Sequence, residues 1–148
     1  MKVSDSERLS DFHKIFITIK IFDSMKKVIA TENAPKAVGP YSQAIEVNGT
    51  LYISGQIPVN PADGQVQTEI TAAAHQSLKN IGAILAEAGM TYDNVVKTTV
   101  LLADIADFKA VNEVYAEYFT GDKPARACYQ AAALPLGVKV EIEAIAVR

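Results

Sequence analysis

The stretch Val138-Lys139-Val140-Glu141-Ile142-Glu143-Ala144-Ile145-Ala146-Val147, residues 138–147, alternates two kinds of side chain with a period of two. Successive side chains of a β-strand point to opposite faces of a sheet, so this period predicts a strand. One face carries Val138, Val140, Ile142, Ala144 and Ala146, and the other carries Lys139, Glu141, Glu143, Ile145 and Val147. Because the second face is half apolar, we expect other subunits to cover it.

Two segments upstream of this strand have the period of a helix. Apolar side chains recur at spacings of three and four from residue 68 to residue 88, and Gly89 is the expected stop. Gly82 lies inside this helix and is expected to allow close packing. A second helical pattern begins after Asp107, an expected N-cap, and ends at Gly121.

Three further apolar segments complete the pattern. Residues 43–47 and 51–54 flank Asn48-Gly49, a strong signal for a hairpin because both turn residues tolerate positive φ. Residues 94–103 are rich in β-branched side chains, and residues 126–132 form another expected strand. The order of hairpin, helix, strand, helix, strand, strand predicts an α+β fold with two helices on one face of a mixed sheet.

Length and composition indicate one globular domain. The chain has 148 residues, of which 49% are hydrophobic and 21% charged. A second methionine, Met25, marks the expected start of a domain spanning residues 25–148. Residues 1–24 are then an extension, which could add to a sheet edge or form a loosely attached tail.

The same counts exclude several kinds of site. One cysteine, Cys128, excludes an intramolecular disulfide, and two histidines leave little material for a metal centre or a histidine-based triad. A net charge of −3 disfavours nucleic acid as a partner. Without an apolar segment long enough to span a membrane, and with one unpaired thiol, we expect a cytoplasmic protein that needs no metal or cofactor.

Two loops could line a pocket. The rigid segment Gly39-Pro40-Tyr41-Ser42-Gln43 could hold Tyr41 over a ligand, although a plain turn with a packing tyrosine is the alternative. Ser54-Gly55-Gln56 follows an expected strand, and its glycine could let backbone amides approach a ligand, although it could also be a simple turn.

Charged residues on the last two strands are the other candidates. Arg126 is suited to bidentate binding of a carboxylate, or alternatively to an ion pair with Glu141, Glu143 or another surface acid. Cys128 would share a face with Arg126, and a lone cysteine is more often a small buried side chain than a nucleophile. Glu141 could face a pocket and accept a proton from water, or it could be solvated with Glu143.

These segments occur together in an order that resembles the Rid (YjgF-like) family of reactive-intermediate deaminases. The resemblance covers residues 25–148 and rests on Pro124-Ala125-Arg126-Ala127-Cys128-Tyr129-Gln130, continuing through Leu134-Pro135 to Val140-Glu141-Ile142-Glu143-Ala144. Gly39-Pro40-Tyr41-Ser42-Gln43-Ala44, Ser54-Gly55-Gln56 and Asn112-Glu113-Val114-Tyr115 also match. The retained arginine is similar to that of the archetypal 2-iminobutanoate/2-iminopropanoate deaminase subgroup.

The resemblance implies a chorismate-mutase-like fold and a homotrimer with ligand sites between subunits. It also implies hydrolysis of 2-imino acids and their enamine tautomers to 2-keto acids and ammonia, with no cofactor. Arg126 would bind the substrate carboxylate, Glu141 would position water, and the backbone at Cys128 would contact the substrate. Tyr41 would close the pocket, and supporting contacts would come from Ser54, Gly55 and Asn112.

Two other functions remain open from the sequence. A trimer that binds keto acids without turnover would need Arg126 but not Glu141, so the presence of both favours an enzyme. An endoribonuclease or translation inhibitor is disfavoured by the acidic balance and the scattered lysines.

Overall fold

A computed structural model of the chain describes residue 14 and residues 26–148. The extension predicted for residues 1–24 therefore lies outside the described residues, apart from Lys14. The strands are β1 (Lys27–Ile29), β2 (Ala44–Val47), β3 (Thr50–Gln56), β4 (Val95–Leu102), β5 (Ala125–Gln130) and β6 (Val140–Val147). The helices are α1 (Ile70–Glu87) and α2 (Phe108–Tyr118).

The six strands form one mixed sheet in the order β1-β2-β3-β6-β4-β5. The pair β4 and β5 is parallel, and every other neighbouring pair is antiparallel. Residues 140–147 of the alternating segment 138–147 form β6, which lies between β3 and β4 inside the sheet. The α+β fold with a mixed sheet is confirmed.

Both helices lie on one face of the sheet, as predicted. Helix α1 packs against β6 and β3 and buries Leu78, Ile81 and Leu85 completely. Helix α2 packs against α1, and its Tyr115 hydroxyl lies 2.7 Å from the Thr98 hydroxyl on the covered face of β4. Burial of these side chains supplies the main stabilisation of the layer.

The ends of α1 follow from local chemistry. The Glu69 carboxylate accepts hydrogen bonds from the amides of Thr71 (3.0 Å) and Ala72 (2.9 Å), which caps the first turn. At the other end Gly89 has φ +70, and its amide donates to the Ala86 carbonyl. A glycine ends the helix because this left-handed conformation is unfavourable for residues that carry a Cβ.

Two local expectations need correction. Asp107 directly precedes α2, but its side chain makes no capping hydrogen bond. Asp104 instead accepts a 2.9 Å hydrogen bond from the Ala106 amide, because a short 3-10 turn at Ile105–Asp107 precedes the helix. Strand β1 was not predicted, since three residues are too few to show a period.

The hairpin between β2 and β3 is confirmed. Asn48 and Gly49 have φ of 50° and 76°, which is the conformation expected of a two-residue hairpin turn. Arg148 closes the same end of the sheet: its guanidinium donates to Glu46 at 2.6 and 3.2 Å and to the Ala88 carbonyl at 2.7 Å. The carboxyl terminus is thereby joined to β2 and to the end of α1.

The other face of the sheet is not covered by the residues that the structure describes. Tyr52 of β3 and Tyr129 of β5 are 49% and 53% exposed, and both lie on this open face. Ile145 is partly buried beside Tyr52, and Glu141 and Glu143 share its face of β6. Within the described part of the chain, neither helix is long and apolar enough to cross a membrane.

Candidate functional site

A bulge in β3 brings its backbone against Glu141. Ile53 pairs with Ala144 and Gln56 pairs with Ile142, so β3 has one more residue than β6 across this interval. The extra residue lies at Ser54-Gly55. The expectation that Ser54-Gly55-Gln56 follows a strand is wrong, because these residues belong to β3, which continues through the bulge to Gln56. Bulges commonly redirect side chains next to functional sites, and this one places Gly55 beside the Glu141 carboxyl group.

Gly55 is required for this approach. A Cβ built on Gly55 would overlap Oε1 of Glu141 and would lie 2.9 Å from its Cδ. Real Cβ atoms do not approach a carbon that closely, so any larger residue would displace the carboxyl group. The absence of a side chain at residue 55 therefore creates the position that Glu141 occupies.

The surroundings of Glu141 favour its neutral form. Partial burial raises the pKa of the Glu141 carboxyl group above its ordinary value, and the negative charge of Glu143 raises this pKa further. A carboxyl group with a raised pKa is a better base once it is ionised, because its affinity for a proton is greater. These are the properties of a group suited to exchange protons with water.

Glu141 opens into a cavity of about 640 Å³ on the open side of the sheet. The cavity is also lined by three other predicted site residues, Tyr41, Ser54 and Gly55. The Ser54 hydroxyl donates to the Ser42 carbonyl at 2.6 Å, and this bond ties the bulge to the loop that carries Tyr41. The structure thus brings together four of the seven predicted site residues.

The mouth of this cavity contains apolar residues that sequence reasoning missed. Val38 is 93% exposed and Leu136 is 76% exposed, and both line the cavity with half-exposed Tyr41. Leu136 has φ +57, which is uncommon for a residue with a Cβ. The only sequence signal was the adjacent Pro135 and Gly137, which indicate a turn but not the direction of the intervening side chain.

Arg126 lies in a different place, between β5 and helix α2. It pairs with Thr98 of β4, whose side chain is fully buried under the helices. The guanidinium carbon lies 4.8 Å from the centre of the Tyr115 ring and 5.5 Å from that of Phe108. Both aromatic rings attract the cation and hold it in place while leaving its N–H groups available.

Cys128 and Asn112 belong to this second group. Cys128 lies two residues after Arg126 and therefore shares its face of β5, as predicted. Burial raises the pKa of the Cys128 thiol, against an opposing effect of Arg126, so the thiol stays neutral and is a poor nucleophile. Asn112 lies four residues after Phe108 and three before Tyr115, which places it on the same side of α2.

The two groups lie on opposite faces of the sheet. Glu141 pairs with Leu101, whereas Arg126 pairs with Thr98 on the same strand. An odd separation along β4 puts the two pairs on opposite faces. The ion pair considered between Arg126 and Glu141 or Glu143 is wrong: no described carboxylate forms an ion pair with Arg126.

We therefore distinguish an acid group from an arginine group. The acid group comprises Glu141, Tyr41, Ser54 and Gly55, and the arginine group comprises Arg126, Cys128 and Asn112. Among residue 14 and residues 26–148, no three His, Cys, Asp or Glu side chains are grouped so as to hold a metal ion.

Comparison with known proteins assigns the chain to a family. The family described as Endoribonuclease L-PSP matches residues 31–148. A mouse protein named 2-iminobutanoate/2-iminopropanoate deaminase is 58% identical over 125 residues, covering 84% of this chain and 93% of its own length. An Escherichia coli protein of the same name is 50% identical over 127 residues, covering 84% and 99% respectively.

Solved structures agree with this assignment. The crystal structure of the YjgF gene product from E. coli has a TM-score of 0.80 and 50% sequence identity, covering 82% of this chain and 98% of that one. The structure of E. coli TdcF with bound serine has a TM-score of 0.80 and 43% identity, with the same coverage. With its sheet, its helices and its sequence all matching, the chain belongs to the Endoribonuclease L-PSP family, also called the Rid or YjgF family.

Proposed function

We propose that this protein hydrolyses reactive 2-imino acids, such as 2-iminobutanoate and 2-iminopropanoate, to 2-keto acids and ammonia. The observation that carries the proposal is the Glu141 carboxyl group, which lies in a cavity beside Gly55 with a raised pKa. Relatives that are 50–58% identical over most of the chain bear the name of this activity.

Arg126 binds the carboxylate of the substrate in this proposal. A guanidinium offers paired N–H donors that match the two oxygens of a carboxylate. Stacking on Tyr115 and Phe108 supports this role, because it orders the cation without consuming its hydrogen bonds in an internal ion pair. Cys128 would contribute backbone contacts, and Asn112 would add a polar contact from α2.

Glu141 acts on the attacking water. Water attacks C2 of the protonated imine, and the Glu141 carboxylate accepts the proton that this water loses. The resulting C2 carries a hydroxyl and an amino group. Glu141 then returns the proton to the amino nitrogen, and the C–N bond breaks to release ammonia. The hydroxyl loses its proton through Glu141 to this ammonia and becomes the keto group. A keto acid and ammonium leave, and no oxidant or reductant is consumed.

The opposite placement of the two groups supports a site shared between chains. Arg126 and Glu141 face away from each other across the sheet, so one protomer alone cannot hold one substrate between them. A head-to-tail contact would join the acid group of one chain to the arginine group of the next, and such contacts form a ring when the rotation between neighbours closes. We infer that this ring is a homotrimer, as the family resemblance implies, and the half-apolar open face supplies a surface for it to bury.

We further propose that the protein acts in the cytoplasm on small molecules and not on nucleic acid. One free cysteine suits a reducing compartment. The net charge of −3 supplies little of the electrostatic attraction that sequence-independent binding to RNA requires.

The test generates 2-iminobutanoate continuously with a threonine dehydratase in the presence of an amine that traps the imine. We expect the protein to divert imine from the trapped product to 2-ketobutanoate, and Glu141→Gln to lose most of this effect. If the protein binds 2-ketobutanoate but keto-acid release is the same with and without the protein, it is a regulatory binder and the proposed activity is wrong.

A further inference from the structure

The turn that carries Leu136 has an unusual residue at its tip. The Gly137 amide donates to the Leu134 carbonyl at 3.1 Å, and the Val138 amide donates to the Pro135 carbonyl at 3.2 Å. Leu136, between them, has φ 57° and ψ 14°. This left-handed conformation is ordinarily occupied by glycine or asparagine, so a leucine here is unfavourable on backbone grounds alone.

Leu136 is also unfavourable on solvation grounds. Its side chain is 76% exposed, and Val38 across the cavity mouth is 93% exposed. In the single chain, two exposed aliphatic side chains at one opening form an apolar rim, which is completed by the Tyr41 ring. Exposed apolar patches of this kind mark binding sites, and local strain is retained where a position serves function.

The rim belongs to the same cavity as Glu141. Its volume of about 640 Å³ lies within the range of pockets that hold drug-sized ligands. An imino acid of four carbons has few heavy atoms and, at roughly 30 Å³ for each, would occupy on the order of 200 Å³. The cavity is therefore larger than the substrate alone and leaves room for a side chain longer than ethyl.

We infer that Leu136 and Val38 form a subsite for the apolar side chain of the substrate, and that this protein favours imino acids with longer aliphatic side chains. This inference rests on the proposed function. Leu136 and Val38 line the same cavity as Glu141, so a side chain on C2 can reach them when C2 lies near Glu141. Burying it there removes the exposed surface of Leu136 and of the substrate from water together.

The experiment compares two imines produced in the assay by an L-amino-acid oxidase, with catalase added. Leucine yields a branched imino acid with a four-carbon side chain, and alanine yields 2-iminopropanoate. We measure kcat/KM for each and take the ratio of the leucine product to the alanine product. Leu136→Asn keeps a residue that tolerates φ +57 but removes the apolar surface, and we expect this ratio to fall about tenfold.

Two variants serve as matched controls. Gly137→Asn introduces the same residue at the next position, where φ is +65 and a new Cβ meets nothing within 4 Å, and its ratio should equal that of the wild type. Leu136→Met retains an apolar side chain and should keep most of the preference. Thermal unfolding and light scattering confirm that each variant is folded and assembled as the wild type is.

The outcomes separate this inference from the proposed function. If the wild type accelerates hydrolysis of neither imine, the proposed function fails. If it accelerates both but Leu136→Asn lowers the two kcat/KM values equally, or dissociates the assembly, Leu136 is a structural contact and the subsite is wrong. A selective loss with the leucine-derived imine, absent in Gly137→Asn, supports the subsite.

Discussion

The carboxyl group of Glu141 occupies the space that a side chain at Gly55 would fill. Its Cδ would lie 2.9 Å from a Cβ on that residue, and its Oε1 would be closer still. The two residues are brought together by the bulge, at which β3 has one residue more than β6. The absence of a side chain at Gly55 thus determines the position of the Glu141 carboxyl group, the proposed base.

Gly55→Ala should therefore reduce activity by displacing Glu141 while leaving the fold intact. We expect kcat to fall about 10- to 100-fold, because displacement of a reacting group by about 1 Å can cost that much. Steady-state kinetics with 2-iminobutanoate measure the effect, and circular dichroism measures folding.

Gly121→Ala is the matched control, because its new Cβ would lie 3.7 Å from the Asp93 carboxylate, an ordinary contact. This substitution should leave kcat unchanged. Normal kcat in Gly55→Ala would show that the position of Glu141 does not matter for turnover.

The pKa of Glu141 predicts how activity depends on pH. Burial first, and Glu143 second, raise this pKa, so the acid limb of kcat should lie above the range of an ordinary glutamate. Glu143→Gln removes the second cause and should move the limb to lower pH. If the acid limb of kcat lies at the same pH in the wild type and in Glu143→Gln, a group other than Glu141 causes it.

The same shift predicts a change in stability. Folding favours neutral Glu141, so its contribution to stability is present at low pH and is lost as pH rises through the folded-state pKa. Glu141→Gln should thus melt a few degrees above the wild type at pH 7, and the two should converge near pH 4. Calorimetry across this range measures the difference, and a constant difference would contradict the raised pKa.

A site shared between chains predicts complementation between two inactive variants. Arg126→Ala should lower kcat/KM about 10- to 100-fold, since hydrogen bonds to a charged group contribute about 1.5–3 kcal/mol each. Glu141→Gln should lower activity for a different reason, which is the loss of the carboxylate that accepts a proton from water. In mixed rings, some sites join the intact acid group of one variant to the intact arginine group of the other.

Random mixing of equal amounts should restore about one quarter of the sites. The two variants are unfolded and refolded together, and activity is compared with that of each variant refolded alone. Mass spectrometry of the intact assemblies checks that exchange has occurred. Mixed rings without recovered activity would show that both residues act within one chain.

Replacing Gly82 by alanine should destabilise the protein, although helix propensity alone predicts that it would be stabilised. Alanine in the middle of a helix is normally more stable than glycine by about 0.5–1 kcal/mol. A Cβ on Gly82 would overlap the Tyr92 hydroxyl and lie 2.8 Å from its Cζ. That hydroxyl donates to the Leu78 carbonyl at 2.7 Å, so it cannot move freely.

We expect Gly82→Ala to destabilise the protein by about 1–3 kcal/mol in urea denaturation. Combining it with Tyr92→Phe should recover part of this loss, because the overlapping oxygen is removed. A stabilised Gly82→Ala variant would show that α1 and the Tyr92 loop separate easily.

Much of the fold follows from local patterns. The period of two in residues 138–147 and the helical spacing of residues 68–88 are confirmed as β6 and α1. The hairpin at Asn48-Gly49 is likewise confirmed, because its turn residues suit their conformation. In each case one continuous segment contains the whole signal.

The N-cap prediction was wrong because a short turn directly precedes the helix and has its own capping residue. Asp107 has the position of an N-cap, yet Asp104 caps the turn before it. Leu136 has no sequence signal beyond the adjacent Pro135 and Gly137, and only its φ and its place at the cavity mouth distinguish it.

The sequence by itself determined which face of β6 carries Glu141, because alternation along a strand is a local property. It also determined which residues are chemically suited to bind a carboxylate or activate water. Only the tertiary structure decided that Arg126 and Glu141 lie on opposite faces, because that depends on the register of β5 and β6 against β4. Register is set by packing between distant segments, and a shift of one residue would reverse the outcome.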